Sequence, residues 1–237
     1  MHTIGFLYPG FGAEDDYPYM ESLFNGDVKL KLIHTSVGVD AHEVNALLDL
    51  GSSERLAEGA AELQADNPTS VMWACTSGSF VFGLEGAKEQ AQGVEDIIKV
   101  PTSSTSLAFA EAIRHLNFTK VAIAATYPND VSRRFKTFLQ DAGIDVVSLV
   151  SHDVETAALA GGLSDSEVID LALSNNPDEA EVVLLPDTAM HTARIIPDLE
   201  KALGKPVLTA NQVTLWQALR LANITPPVLP QLGTLFQ

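Results

Sequence analysis

Cysteine is nearly missing from this chain of 237 residues, which has one, Cys75. A single thiol can neither close an intrachain disulfide nor build a multi-thiolate metal site. Cationic residues are scarce too: 14 Lys and Arg stand against 31 Asp and Glu, a formal net charge of −17. Such a chain repels nucleic acid and anionic lipid and has no basic stripe to offset the repulsion. A small anion remains admissible, because backbone N–H groups and hydroxyls bind a carboxylate locally whatever the distant surface carries. No apolar run approaches the roughly 18 residues of a membrane span, and the opening MHTIGFLYPGFGAEDD lacks a basic start and a sustained apolar stretch. The expectation is a reduced, cytoplasmic protein without membrane or nucleic-acid partners. The motifs G-x-G-x-x-G, G-x-x-x-x-G-K-[ST], H-E-x-x-H and G-x-S-x-G do not occur, and the six His are scattered without metal spacing. Nucleotide, zinc-protease and common hydrolase readings therefore lack their residues.

What is present folds: 46% of residues are hydrophobic and 19% charged, in a length that suits one large α/β domain or two half-sized lobes. Short runs of Val, Ile and Leu alternate with amphipathic stretches, the pattern of buried parallel strands joined by helices. Strands are expected at 3–8, 28–34, 70–74, 120–124, 145–149, 182–185 and 206–209. Helices are expected at 42–48, 53–65, 104–116, 129–142, 165–173, 195–203 and 211–221. In such sheets ligands bind beyond the carboxyl ends of strands, so the residues following each strand carry the functional interest.

The chain also resembles itself. Ala110-Glu111-Ala112-Ile113-Arg114-His115-Leu116-Asn117-Phe118 aligns with Trp216-Gln217-Ala218-Leu219-Arg220-Leu221-Ala222-Asn223-Ile224, each copy following a proline and a turn rich in hydroxyl or amide groups. Upstream of each, a strand runs into a polar loop, Cys75-Thr76-Ser77-Gly78-Ser79 and Asp187-Thr188-Ala189-Met190-His191-Thr192. A duplicated half-domain would set these loops face to face across a cleft. The expected lobes are 1–104 plus 212–237 and 105–211.

Cys75 follows an apolar run and precedes small hydroxyl residues, a setting in which N–H groups at the next helix start act on a thiol or a carboxylate. The plainer reading is a small buried hydrophobe. Asp187 leaves its strand at the equivalent point and serves either as an acid–base group or as the N-cap of the next helix; beside a thiol it would form a pair sharing one proton. Tyr127 offers a phenol to a substrate oxygen or packs as a loop aromatic. Pro9, in Pro9-Gly10-Phe11-Gly12, lies where backbone can approach a ligand. Thr188, Thr209 and Asn211 are placed to line the cleft, the last two otherwise as helix caps. Asn129 or Asp130 is expected to cap a helix, Arg133 and Arg134 to face solvent, and His191 to act locally rather than as a ligand.

The segments 4–9, 74–79, 121–131 and 204–222 together resemble the aspartate/glutamate racemase superfamily, in its branch of maleate cis-trans isomerases and arylmalonate decarboxylases. The resemblance implies two pseudo-symmetric Rossmann-like α/β lobes with parallel sheets, an active site in the cleft between them, and neither cofactor nor metal. It implies that Cys75 holds the position of the first family cysteine, that Thr76, Ser77 and Tyr127 form a carboxylate or oxyanion pocket, and that the loop after Tyr8 closes over substrate. The chain departs from the pattern at Asp187, where isomerases and racemases have a second cysteine. Arylmalonate decarboxylases keep that second cysteine and lack the first, the opposite selection. The family's asparagine in the loop after the first strand is also missing.

Chemistry beside a carboxylate passes through an enediolate or a thiol adduct and needs an acid–base on a defined face plus donors for the oxyanion. The first expectation is a cofactor-independent isomerase or racemase of a small carboxylic or dicarboxylic acid, using Cys75 and Asp187. The alternatives are an arylmalonate-type decarboxylase and a non-catalytic carboxylate-binding protein. Oligomeric state is left open, a homo-oligomer included.

Overall fold

The structure is a computed structural model that describes residues 2–10 and 12–237; Phe11, within the loop after the first strand, lies outside the described residues. Eight strands are present among these: β1 (His2–Tyr8), β2 (Val28–His34), β3 (Ser70–Trp73), β4 (Thr102–Ser104), β5 (Lys120–Ala125), β6 (Asp145–Ser151), β7 (Val182–Leu185) and β8 (Val207–Thr209). The helices are α1 (Asp16–Ser22), α2 (Val44–Leu50), α3 (Ser53–Leu63), α4 (Ser77–Phe80), α5 (Gly83–Ile98), α6 (Thr105–His115), α7 (Asn129–Asp141), α8 (Ala157–Gly161), α9 (Asp165–Leu173), α10 (Ile196–Leu203) and α11 (Ala210–Leu221). None is long and apolar enough to cross a membrane.

The strands form two four-stranded parallel sheets with one shared order, β2-β1-β3-β4 and β6-β5-β7-β8. In β7 every residue of the run Val182–Leu185 is fully buried, as a strand covered by helices on both faces requires. β3 and β7 hold the same place in their sheets, each lying between the first strand and the last. Cys75 and Asp187 therefore leave the sheets at equivalent points, two residues beyond the end of each strand.

The repeated helices end alike. Asn117 and Asn223 both take left-handed backbone, at φ 57 and 56. Across them Phe118 N–H reaches Ile113 O at 3.1 Å and Ile224 N–H reaches Leu219 O at 2.9 Å. This is the Schellman closure of a helix, and Asn is the residue after Gly that best tolerates it, which explains why both copies carry it. α6 and α11 pack on one another, pinned by the 2.6 Å hydroxyl contact of Thr105 with Thr214. Ser70 Oγ donates to Ala218 O at 2.8 Å, so α11 is also tied to the first sheet.

Several expectations shift. β4 and α1, α4, α5 and α8 were not foreseen. The helix expected at 42–48 runs from Val44 to Leu50, leaving His42 in the segment before it. Asn129 and Asp130 lie inside the first turn of α7 behind Pro128, and neither caps it; Asn129 Oδ1 instead accepts from Arg133 Nε at 3.2 Å. Arg133 and Arg134 are exposed, as expected.

Candidate functional site

The carboxyl ends of β1, β3 and β7 converge on one small cavity of about 40 Å³. Pro9, Cys75, Ser77, Asp187 and Thr188 line it, joined by Tyr8, Asp40 and His42, which sequence reasoning had not singled out. Apolar walls come from Val37, Val39, Leu47, Leu50, Ala157 and Ala189. Gly10, also on the wall, takes a φ of +86 that a side chain would resist.

Cys75 is 3% exposed. Its Sγ accepts from Gly78 N–H at 3.3 Å and lies 3.9 Å from Ser77 Oγ. A Cβ at Gly78 would stand 3.1 Å from that sulfur and as close to the Trp73 ring, so glycine is what lets the backbone approach the thiol. Burial pushes the thiol up to about 11; the Gly78 N–H and Ser77 hydroxyl oppose the shift and the charge of Asp187 adds to it. At neutral pH this group is an S–H, a proton donor rather than a ready thiolate.

Asp187 does not cap a helix. The chain after β7 turns without helix until Ile196, and Asp187 Oδ1 accepts from Ala189 N–H at 2.9 Å within that turn. Oδ2 accepts from the buried Thr126 hydroxyl at 2.5 Å. His42 Nε2 lies 4.0 Å from the same oxygen.

Thr76 and Ser77 sit beside the thiol; Ser77 lines the cavity, whereas Thr76 is fully buried outside its lining, and both hydroxyls act on the Tyr127 phenol. Tyr127 is buried, donates to Pro186 O at 2.9 Å, and is raised well above the ordinary phenol range by burial first and then by the charges of Asp187 and Cys75. It backs the site from behind the cavity wall. Asn211 is placed elsewhere: its Nδ2 donates to Asp16 Oδ2 at 2.9 Å and Thr188 O at 3.2 Å, below the cavity, where it fastens α11 to α1. Thr209 stands at the start of α11, and its N–H donates to Gln212 Oε1 at 2.9 Å. Tyr8 donates to Thr188 O at 3.0 Å and accepts from Ala13 N–H at 3.0 Å, linking the loops after β1 and β7.

Asp15, Asp16 and His191 bring three metal-capable groups together. His191 Nδ1 pairs with Asp15 Oδ1 at 2.7 Å, and the Asp16 oxygens accept from the N–H groups of Thr192 and Ala193 as well as from Asn211. Those bonds give Asp16 a structural task joining α1 to the loop after β7.

A family model for arylmalonate decarboxylase matches residues 39–236. The chain belongs to the arylmalonate decarboxylase family. The arylmalonate decarboxylase of Bordetella bronchiseptica is 26% identical to it over 186 residues, 77% of each chain. A maleate isomerase of Alcaligenes faecalis is 24% identical over 169 residues, 68% of this chain and 66% of its own. A glycine-to-cysteine, cysteine-to-serine double mutant of arylmalonate decarboxylase in liganded form shares the fold with a TM-score of 0.88 at 24% identity, covering 100% of this chain and 99% of that one. A maleate cis-trans isomerase of Nocardia farcinica, solved as a mutant with a covalently bound succinylcysteine intermediate, reaches 0.89 at 18% identity, covering 99% and 98%. The two-lobed fold implied by the resemblance is thus the fold of these enzymes, and the relatives of this family member are decarboxylases and isomerases.

Proposed function

We propose that this family member moves protons at the carbon next to the carboxylate of a small carboxylic or dicarboxylic acid, as a cofactor-independent isomerase or racemase, with the lobes divided at 1–104 plus 212–237 and 105–211. The observation that carries the reading is that Cys75 and Asp187 line one cavity from equivalent turns of two like sheets. In a racemisation, Asp187 takes the proton from one face and the Cys75 thiol returns one to the other. The Ser77 hydroxyl donates to the developing oxyanion, with Thr76 and Tyr127 behind it. The protonated thiol favours this acid role over direct attack on a double bond, the step a maleate-type isomerisation would need.

A second reading is decarboxylation. A thiol held as S–H in a cavity with apolar walls supplies what an arylmalonate-type lyase needs, one proton for the enediolate left after carbon dioxide departs. The separating experiment incubates the protein in D₂O with maleate, phenylmalonate, 2-phenylpropionate, aspartate and glutamate and follows each by NMR. Deuterium at the carbon with an unchanged formula supports racemisation, a change of double-bond geometry supports isomerisation, and loss of a carboxyl group supports the lyase. Binding without turnover of any of them would leave a carboxylate-binding protein.

A further inference from the structure

The turn that carries Asp187 is held from the other sheet. Tyr8 is the last residue of β1, in the first sheet, and Thr188 follows Asp187 three residues beyond the end of β7, in the second. Both are buried, and both line the cavity with Asp187. The Tyr8 hydroxyl donates to Thr188 O at 3.0 Å and accepts from Ala13 N–H at 3.0 Å. The direction of the first bond is fixed: a carbonyl oxygen only accepts, and burial foremost raises the phenol well above its ordinary range, so it keeps its hydrogen. Thr188 O takes a second donor, Asn211 Nδ2 at 3.2 Å, which uses both of its lone pairs. The two loops also touch at Gly12, where a Cβ would stand 2.6 Å from Ala189 Cα and 2.9 Å from the Tyr8 hydroxyl. Glycine thus lets the loop after β1 approach the Asp187 turn, and the phenol ties them where they meet. Asp187 itself is bonded within the second sheet's loops, to Ala189 N–H and the Thr126 hydroxyl.

We infer that Tyr8 is a positioning residue for the reaction proposed above: its hydroxyl fastens the Asp187 turn to the first sheet, the sheet that carries Cys75, and so sets where Asp187 stands across the cavity from the thiol. The inference rests on that reading. Tyr8 exchanges no proton with substrate, because its one hydrogen is committed to Thr188 O. It contributes the placing of one reacting group against the other, and a misplacement of about 1 Å can cost about a hundredfold in rate.

Tyr8→Phe keeps the ring and deletes the hydroxyl. Amide hydrogen exchange on the whole chain tests the tie without a substrate. The Ala189 N–H should become at least about tenfold less protected in Tyr8→Phe, while the Gly78 N–H, in the Cys75 turn, keeps its wild-type rate. Wild-type protection at Ala189 would overturn the inference. Kinetics supplies a second arm, a cycle with Asp187→Asn read on whichever acid of the panel turns over. In the wild-type background Tyr8→Phe should lower kcat about tenfold with KM within about twofold. In Asp187→Asn it should change kcat by less than about twofold, because the group it places is already gone. Gly12→Ala, whose Cβ presses on Ala189, should give the same pattern and replaces Tyr8→Phe should that variant not fold. With Asp187→Asn impaired, an equal loss in both backgrounds, or none in either, overturns the role of Tyr8 and leaves the proton-transfer reading standing. Full activity in folded Asp187→Asn, or no turnover of any acid by the wild type, overturns both.

Discussion

The turns after β3 and β7 occupy equivalent places in two sheets of one topology, yet they surround Cys75 and Asp187 differently. Cys75 runs directly into helical turns, is buried, and has one N–H within reach of its sulfur; burial outweighs that donor, and the group stays a neutral acid. Asp187 is as buried as Cys75 but runs into an irregular loop, with a hydroxyl and an N–H donating to its oxygens and the His42 ring 4.0 Å away. Two sheets of one topology thus bring a thiol and a carboxylate with different surroundings to one cavity.

The comparison breaks most readily at the thiol. Cys75→Ser should reduce turnover at least about a hundredfold, since serine in the same site is a far weaker acid and nucleophile, while the melting temperature moves little. Near-normal turnover would remove Cys75 from the chemistry. At the opposite turn, Asp187→Asn keeps the shape and removes the charge. Turnover should fall about tenfold or more, while alkylation of Cys75 by iodoacetamide at neutral pH accelerates several-fold, because one influence that raises the thiol is gone while burial persists. Full turnover with an unchanged alkylation rate would reduce Asp187 to a turn-former.

A third test concerns the tie beneath the cavity. Burial raises Asp16 from its ordinary 3.8 to about 6, against the opposing hydrogen bonds from Asn211, Thr192 and Ala193. Between these two values the folded chain holds a proton that the unfolded chain has lost, so stability should fall as pH rises from about 4 to about 6 and level off above, by about 3 kcal/mol in all. Urea titrations at several pH values would read this slope, and Asp16→Asn should flatten it. A slope that survives the substitution would assign it to other groups. The smallest effect tests the duplication itself. Asn117→Ala and Asn223→Ala should each cost about 1 kcal/mol through the left-handed backbone, and by similar amounts. A large effect at one site and none at the other would mean that the two helix ends differ in ways their shared geometry hides.

Much of this was legible in the residues. Buried strands read clearly because both faces are apolar: the expected limits of β2 and β7 agree with the structure, and those of β1, β3, β5 and β8 differ by one residue. β4 was hidden because Thr102, Ser103 and Ser104 behind a proline look like a turn. α5 was hidden because its buried face is made of Ala87, Ala91, Val94 and Ile98, interrupted by Gly86 and Gly93, a weak apolar stripe. The site divides in the same way. Cys75, Ser77, Asp187 and Thr188 follow strand ends and could be read from the chain, as Pro9 could. His42 and Asp40 could not, because their partners at 154, 157, 158 and 187 are more than a hundred residues away and no local pattern marks them. Asn211 was read for the cleft from its place after a strand, but the acceptors that claim its amide, Asp16 and Thr188, come from distant parts of the chain.

The central claim is that Cys75 and Asp187 act on one carbon from opposite sides of one cavity. The most direct measurement is deuterium exchange from D₂O into the carbon next to the carboxylate of whichever acid in the panel turns over, in the wild type, Cys75→Ser and Asp187→Asn. Exchange in the wild type that is lost in both folded variants is the predicted result. Exchange that persists at the wild-type rate in either variant would contradict the account.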